Sequence, residues 1–288
     1  MTETSVGSVS SVLRFPVKSM LGENVAAATV SQRGVDGDRA YALIDEETNK
    51  VISVKRPRRW GRIFELSAAT KSDGPVEVTF PGGEAMAIDD PALPDRLSAF
   101  FGRRVSVAAT PPPDATFDEA WERDLKDGAD PYFGLPSRDE EGDELIDAGA
   151  FMSGQGNFFN FGAVHLVTTA TTKRLSEAAP DSRFDARRFR PNIVIDTDEV
   201  GFVETGWQGH TLAIGDVRLL VTFTVPRCVM TTLAQGDLPA DRDVLRTITA
   251  ENSVDVFSTG TAYPCVGVYG EVVTGGDVRV GDAVTLIS

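Results

Sequence analysis

The stretch TLAIGDVRLLVTFT, residues 211–224, gives the clearest structural signal in this sequence. Apolar residues fall at every second position through 211–214 and again through 217–224, which is the side-chain period of a β-strand. Gly215 and Asp216 separate the two segments, and such a pair is typical of a tight turn between strands. The stretch therefore predicts an antiparallel hairpin.

Short strands with turn residues between them recur on both sides of this hairpin. Many short strands at such spacing favour a barrel or a sandwich over β-α-β units. Short helices are predicted where apolar residues share one helical face, at 95–101, 171–179 and 243–249. The sequence thus predicts a mainly β fold of the α+β class with a few short helices. The other predicted strands are 6–15, 25–30, 40–45, 51–54, 76–80, 84–88, 105–108, 162–169, 193–195, 266–273 and 283–287.

A polar stretch divides the chain. Three consecutive prolines at 111–113 open it, and it runs to about Gly156 with many Asp and Gly residues. Such composition is typical of linkers and of long loops that lie over a site. The sequence therefore predicts an N-terminal domain at 7–110, a linker or loop region at 111–156 and a C-terminal domain at 157–288.

The chain is acidic, with 43 Asp and Glu against 28 Lys and Arg and a formal charge of −15. This balance argues against nucleic-acid binding and against docking on anionic lipid, since both need a basic face. No apolar run approaches the roughly 18 to 20 residues of a membrane helix, and residues 1–10 lack the pattern of a secretory signal. We expect a cytoplasmic protein that binds neither nucleic acid nor membrane.

Two cysteines and two histidines limit the possible metal and nucleophile chemistry. Neither cysteine lies in a CxxC motif, which excludes zinc-ribbon and iron–sulfur patterns, and two histidines cannot build a His-rich metal site. Cys265 follows a proline within a predicted strand, and we interpret it as structural. Cys228 follows the break at Pro226, and the adjacent Arg227 favours its thiolate, the form that a soft metal or a sulfur-transfer step requires. The alternative for Cys228 is a small buried apolar residue.

Basic side chains concentrate where predicted strands meet loops. Arginine and lysine at such junctions suit a phosphate group, although ion pairing with the abundant acids is the plain alternative. Threonine hydroxyls at strand ends could bond a polar cofactor or could simply belong to ordinary strands. Neither a P-loop nor a strand-linked GxGxxG is present. The candidates are Lys18, Ser19, Arg39, Arg187, Arg188, Arg190, Thr168 and Thr171.

These segments resemble a known family when they are taken in order. RFPVKSMLGE at 14–23 and GDRAY at 37–41 resemble motifs of the N-terminal β-barrel domain that accompanies the MOSC (molybdenum cofactor sulfurase C-terminal) domain. VHLVTTAT at 164–171, RFRPNIV at 188–194 and RCVMTT at 227–232 resemble the core of the MOSC domain itself. The resemblance spans nearly the whole chain. It implies a MOSC β-barrel with a smaller N-terminal β-barrel domain.

The resemblance also implies a site for a molybdenum cofactor of the molybdopterin type. In the amidoxime-reducing branch of the family, the cysteine that corresponds to Cys228 is the protein ligand of molybdenum and the catalytic residue. Thr168 and Thr171 match a cofactor-binding stretch of the family, but less closely than the other segments match their motifs. The other residues implied to contact the pterin or its phosphate, or to flank the metal ligand, are Lys18, Ser19, Arg39, Arg190, Asn192 and Arg227.

The function implied is a molybdenum-dependent oxidoreductase that reduces small N-hydroxylated substrates, amidoximes or hydroxylamines. The sequence has no ferredoxin-like cysteines, so we expect electrons from a separate donor protein of the ferredoxin or flavin/haem reductase type. A sulfur carrier with a Cys228 persulfide, or a cofactor-binding module without turnover, are the alternatives. The basic segments favour the first and the last of these three. We also expect Phe158, Phe159 and residues 113–156 to shape access to the site.

Overall fold

A computed structural model describes residues 2–71, 74–113, 115–120, 137–148 and 158–288. The predicted mainly β class is confirmed. The hairpin at 211–224 is also confirmed, since Ile214 pairs with Val217 across a two-residue turn.

The N-terminal half is built from short strands and two short helices. The predicted strand at 6–15 and the predicted helix at 95–101 correspond to its first strand and its second helix. The strands are β1 (Glu3–Arg14), β2 (Glu23–Val25), β3 (Ala27–Ser31), β4 (Gly34–Val35), β5 (Ala42–Asp45), β6 (Lys50–Val51), β7 (Ser67–Thr70), β8 (Val76–Thr79), β9 (Ala85–Ala87) and β10 (Val105–Ala108), and the helices are α1 (Pro57–Trp60) and α2 (Leu93–Phe101).

The region that composition marks as a linker contains a small sheet. Its strands are β11 (Asp118–Ala120), β12 (Ser137–Glu140) and β13 (Asp143–Asp147), in the order β11-β13-β12. These strands are rich in acids, which hides them from a pattern of alternating apolar residues. The acids surround the fully buried guanidinium of Arg56, which pairs with Asp118 at 3.0 Å and with Glu140 at 3.2 Å. The sheet is thereby attached to the N-terminal half.

The C-terminal half contains longer strands. The side chain of Thr168 caps the first helix here by accepting a hydrogen bond from the backbone N–H of Thr171. The elements are β14 (Val164–Thr168), α3 (Thr169–Ala178), β15 (Ile193–Asp196), β16 (Thr211–Ile214), β17 (Val217–Pro226), α4 (Asp243–Glu251), β18 (Ser253–Val254), β19 (Tyr263–Thr274), β20 (Gly276–Arg279) and β21 (Ala283–Ile287).

Among the described residues, seven strands close into a barrel in the order β14-β15-β1-β21-β16-β17-β19, with β19 pairing back to β14. Apolar side chains at alternate positions fill the barrel, for example Leu212 and Ile214 of β16 and Ile193 and Ile195 of β15. Strand β1 lies in this barrel although its residues belong to the predicted N-terminal domain. The two halves of the chain therefore share one sheet.

Strand β19 contributes one face to the barrel core and the opposite face to the candidate site. Its Val268 and Val272 belong to the barrel core, whereas Tyr269 lines a pocket. A second apolar core, which includes Val17, Met20 and Ile52, supports the N-terminal side of the same pocket. The site thus lies where the barrel meets the N-terminal half.

Candidate functional site

A pocket between the two halves collects most of the candidate residues. We call it the cationic pocket. Its cavity measures about 90 Å³, less than the roughly 300–1,000 Å³ that encloses a whole small-molecule ligand. It can therefore hold an anionic group while the rest of a larger ligand lies outside. The lining residues are Lys18, Ser19, Arg39, Ser53, Lys55, Phe158, Phe159, Asn160, Gly162, His165, Phe189, Arg190, Asn192, Arg227, Met230 and Tyr269.

Lys18 and Ser19 lie in the turn after β1. The Lys18 ammonium donates to the backbone carbonyl of Phe158 at 2.9 Å and to the side-chain oxygen of Asn160, and both acceptors are neutral. Burial lowers the pKa of Lys18 well below its usual value, and the cations Lys55, Arg39 and Arg190 lower it further. A negative ligand in this pocket would remove that penalty.

Arg190 and Lys18 are the most deeply buried of the pocket cations, each with 5% of its surface exposed. Arg190 donates from Nη1 to the backbone carbonyl of Met20 at 2.6 Å and lies 4.1 Å from the centre of the Phe15 ring. Its Nη2 is buried and has no hydrogen-bond partner among the residues that the structure describes. A buried donor without an acceptor is costly, so this group is suited to receive a ligand oxygen.

Arg39 lies beside Arg190 and is fixed by its own contacts. It donates to the carboxylate of Asp38 and, from Nη2, to the backbone carbonyl of Arg190 at 3.2 Å. The same carboxylate accepts from the side-chain amide of Asn192 at 2.9 Å. Asp38 thereby holds a cation and an amide of the pocket in fixed positions.

Arg227 lines the pocket, but its guanidinium serves the protein itself. It donates to the backbone carbonyls of Val266 and Phe189, each at 3.0 Å, and its Nη2 lies 2.6 Å from Nε2 of His165. Since an arginine can only donate, Nε2 of His165 must be the acceptor, which places the imidazole proton on Nδ1. Burial followed by the nearby charge of Arg227 lowers the pKa of His165 well below its usual value, so this histidine is neutral.

Close packing brings strand β19 against His165. Gly267 has a φ of +78°, and a Cβ atom there would lie 2.5 Å from Nε2 of His165. Only glycine fits this position, because any side chain would push the imidazole away from Arg227.

Lys55 is a pocket cation that we did not predict. Its ammonium donates to Glu119 of β11 at 2.8 Å and lies 5.4 Å from the centre of the Phe117 ring. Burial acts to lower the pKa of Lys55, but the charges of Glu119 and Cys228 outweigh it and raise the pKa overall. Lys55 is therefore a stable cation on the side of the pocket nearest Cys228. The basic run at 55–59 was the sequence signal that could have identified it.

Cys228 lies at the edge of the cationic pocket rather than in its lining. It is partly exposed, and its neighbours Arg227 and Met230 both line the cavity. Burial raises the pKa of its thiol, while the charges of Lys55 and Arg227 act to lower it. The predicted effect of Arg227, which favours the thiolate, is confirmed in direction, but burial outweighs it and the pKa of the thiol is raised overall.

Thr168 and Thr171 do not lie in the lining of the pocket. Both hydroxyls donate to the buried carboxylate of Glu204, at 2.7 Å each. Burial raises the pKa of Glu204, and the two hydroxyls act against that rise. The structure therefore gives these threonines a structural role at the start of α3 and separates them from the other candidates.

Comparison with known families agrees with this architecture. The family model described as the MOSC domain matches residues 154–285, and the one described as the MOSC N-terminal beta barrel domain matches residues 6–114. The two matched ranges together span most of the chain. The chain belongs to the MOSC family. The resemblance noted in its sequence motifs is confirmed.

Relatives of this MOSC protein include two that share a name. It is 34% identical over 124 residues to mitochondrial amidoxime reducing component 2 of Rattus norvegicus, a match that covers 42% of this chain and only 36% of the relative. It is 26% identical over 305 aligned positions to the Bos taurus protein of that name, covering 97% of this chain and 83% of the relative. Among solved structures, the YUAD protein from Bacillus subtilis aligns over 99% of this chain and 97% of its own, with 9% identity and a TM-score of 0.46.

The comparison decides neither the prediction that this protein does not bind a membrane nor the prediction that it is cytoplasmic. Within the described part of the chain, no helix has the length and apolar character that crossing a bilayer demands. The names of the two relatives place them in mitochondria, and the cytoplasmic location of this MOSC protein stays a prediction.

The side chains present fit a molybdenum cofactor of the pterin type. Its phosphate needs cationic donors, and the pocket offers Nη2 of Arg190, which has no partner in the described part of the chain, together with Lys18 and Arg39. A soft metal needs a sulfur ligand, and Cys228 lies at the pocket edge. Lys18, Ser19, Arg39, Arg190, Asn192 and Arg227 are thus together in one lining, as predicted, while their cofactor contacts remain a prediction.

Proposed function

We propose that this MOSC protein binds a molybdenum cofactor, with the cofactor phosphate in the cationic pocket and Cys228 as the protein ligand of the metal. The observation that carries the proposal is the concentration of buried cations in a chain of net charge −15. Lys18 and Arg190 bond neutral acceptors there, and one donor of Arg190 is unsatisfied among the described residues. An anion is the ligand that compensates this arrangement.

The residues of the pocket divide into two roles in this proposal. Lys18 and Arg190 donate to the phosphate, with Arg39 beside them. Asp38, Asn192 and the pair of Arg227 with His165 hold the donors in place through the contacts described above. A bound molybdenum cofactor supplies two-electron redox chemistry at its metal.

The proposed reaction is the reduction of small N-hydroxylated substrates. An amidoxime takes up two electrons and two protons, its N–O bond breaks, and an amidine and one water molecule leave. The name shared by the rat and bovine relatives supports this class of substrate. We propose that the electrons come from a separate donor protein of the ferredoxin or flavin/haem reductase type.

The buried cations make a sulfur carrier a weaker candidate. A sulfur carrier and a metal ligand both need the Cys228 thiolate, so the raised pKa of this thiol does not separate the two roles. The buried cations have no use in persulfide transfer, but they suit an anionic cofactor.

The proposal is tested on protein purified from a host that makes the molybdenum cofactor. We would measure molybdenum by elemental analysis, pterin by fluorescence after oxidation, and reduction of benzamidoxime with reduced methyl viologen as the donor. Cys228→Ala is compared with Cys265→Ala, because Cys265 is buried and its thiol bonds the backbone carbonyl of Tyr263.

We expect Cys228→Ala to lose molybdenum and turnover, and Cys265→Ala to keep both. Full metal content and activity in Cys228→Ala would contradict the assignment of the ligand. Wild-type protein that contains molybdenum and pterin but reduces nothing would identify a binding module without turnover.

A further inference from the structure

A second and larger cavity adjoins the cationic pocket. It measures about 460 Å³, which lies within the size range of small-molecule sites. Its lining combines aromatic rings with a few polar side chains, the composition that such sites usually have. The lining residues are Gln32, Arg33, Phe161, Gly162, Ala163, Thr222, Phe223, Gly270, Glu271 and Val272.

The partition between the two cavities is thin. Gly162 lines both of them, and Tyr269 of the cationic pocket packs edge-on against Phe223 of the second cavity, with 5.3 Å between ring centres. A Cβ atom on Gly162 would lie 2.5 Å from the Tyr269 ring. The backbone of Gly162 and one tyrosine ring therefore separate the two cavities, and glycine is needed for that ring to lie so close.

Five aromatic rings form a continuous surface across this partition. We call it the aromatic wall, and it consists of Phe161, Phe223, Phe257, Tyr263 and Tyr269. Ring centres lie 6.2 Å apart for Phe161 and Phe223, 6.4 Å for Phe223 and Phe257, and 5.7 Å for Phe257 and Tyr263. Phe161, Phe223 and Phe257 are all partly exposed. Side chains of this kind offer flat apolar contact area at low cost in conformational entropy.

Tyr269 of the aromatic wall lines the cationic pocket, at whose edge Cys228 lies. Strand β17 carries Phe223, and the adjacent strand β19 carries Tyr263 and Tyr269. Phe161 and Phe223 line the second cavity. The wall thus leads from the pocket beside the proposed metal ligand to a space large enough for the body of a small organic molecule.

We propose that the aromatic wall and the second cavity bind the flat apolar body of the substrate, while the N-hydroxylated group lies toward Cys228. This inference rests on the proposed function and makes its substrate class narrower. The protein selects N-hydroxylated compounds with an aromatic ring over small aliphatic ones, because only a ring can stack on the wall.

The test compares two amidoximes that differ only in the group beside the reacting centre, benzamidoxime and acetamidoxime. Phe223→Leu removes the aromatic face of the wall but keeps an apolar side chain. Phe100→Leu is the matched control, since Phe100 is also partly exposed but packs on Phe80 and Phe101 in the N-terminal half. Circular dichroism and molybdenum content are measured for each variant.

For Phe223→Leu we expect KM for benzamidoxime to rise about tenfold, the loss of one good aromatic contact, with KM for acetamidoxime within about twofold of wild type. Phe100→Leu should change neither value. Equal effects on the two substrates, or none, would overturn the inference. So would a loss of molybdenum from folded Phe223→Leu, because the second cavity would then hold the cofactor.

A binding measurement separates this inference from the proposed function. Calorimetric titration with benzamidine, the expected product, needs no turnover. Binding by wild-type protein that weakens about tenfold in Phe223→Leu supports the aromatic site even if no reduction is detected. A wild-type protein that reduces benzamidoxime but binds benzamidine no differently from Phe223→Leu refutes the aromatic site and leaves the reductase proposal standing.

Discussion

Replacement of Arg190 by methionine should weaken cofactor binding strongly while leaving the stability of the cofactor-free protein nearly unchanged. In the cofactor-free protein the substitution removes the bond to the Met20 carbonyl and the contact with the Phe15 ring. It also removes a buried charge that lies beside Arg39 and a donor, Nη2, that is unsatisfied by the residues the structure describes. Methionine has a similar length and no β-branch, so the backbone strain of the φ of +55° at this residue is unchanged.

In the cofactor-free protein, the contributions that this substitution removes and those that it restores to the free energy of unfolding nearly cancel. Loss of a charged hydrogen bond and of a cation–π contact costs about 2–5 kcal/mol. Removal of a buried donor that has no partner among the described residues returns about 1–3 kcal/mol, and relief of the buried charge returns about as much again. We therefore expect the free energy of unfolding to change by less than about 2 kcal/mol in either direction. Cofactor binding should lose about 2–5 kcal/mol, which is about 30-fold or more in affinity.

Two measurements check this contrast. Urea unfolding of protein from a cofactor-deficient host gives the change in stability, and molybdenum content after gel filtration gives retention of the cofactor. Arg187→Met is the control, because Arg187 lies three residues away and pairs with Asp185 and Asp237 near the surface. The control should retain wild-type molybdenum. Arg190→Met with full molybdenum content, or a cofactor-free variant destabilised by more than about 4 kcal/mol, would refute the binding role.

Three other buried polar side chains should affect stability in ways that can be measured. Folding lowers the pKa of Lys18, so the unfolded state binds more protons at each pH between that lowered pKa and ~10.5, and the stability of the cofactor-free protein should rise with pH across this window. Lys18→Met should flatten that rise, which thermal melts at a series of pH values up to about 9 would show. The pKa of His165 is lowered too, so stability should fall as pH drops below ~6.5, by at most about 1.4 kcal/mol per pH unit, and urea titrations of His165→Gln should show a smaller fall. Thr171→Val leaves Glu204 with one donor fewer and should reduce the free energy of unfolding by about 1–3 kcal/mol with unchanged molybdenum content, whereas loss of metal from the folded variant would restore Thr171 to the cofactor site.

The barrel was predictable because its strands carry local signals. The hairpin at 211–224 shows both alternation and a turn, and the structure reproduces it with a second strand that runs two residues further, to Pro226. The sheet of β11, β12 and β13 was not predictable in this way, because acids around the buried Arg56 hold its strands and its buried apolar residues Leu145 and Ile146 are adjacent rather than alternating. A period of two in hydrophobicity does not detect such strands.

The candidate site was predictable to the extent that its residues carry unusual charge. Basic segments in an acidic chain identified Lys18, Arg39 and Arg190, which the fold brings to one lining. The backbone that aims them was not predictable, since Ser19, Arg39 and Arg190 adopt φ values of +68°, +47° and +55°, a conformation that non-glycine residues seldom take. Such strained residues occur where surrounding contacts fix them, often at functional sites.

The sequence also did not show that Thr168 and Thr171 lie outside the lining of the cationic pocket. Thr168 and Thr171 lie near candidate motifs in sequence, but their partner Glu204 is more than thirty residues away and has no local signal. Lys55 was missed because it begins a basic run that also contains three arginines, and residue type does not show which of the four side chains enters the pocket. Arg56 and Arg59 of this run pair with Glu140 instead. Tertiary contacts, rather than residue type, decided which of these side chains reach the pocket.

The most direct measurement is the ratio of molybdenum, pterin and polypeptide in protein purified under native conditions. The account predicts one molybdenum and one pterin for each chain, with both lost from Arg190→Met. Protein that folds fully and carries neither component, from a host in which other molybdenum proteins are loaded, would contradict the claim that the buried cations hold an anionic cofactor.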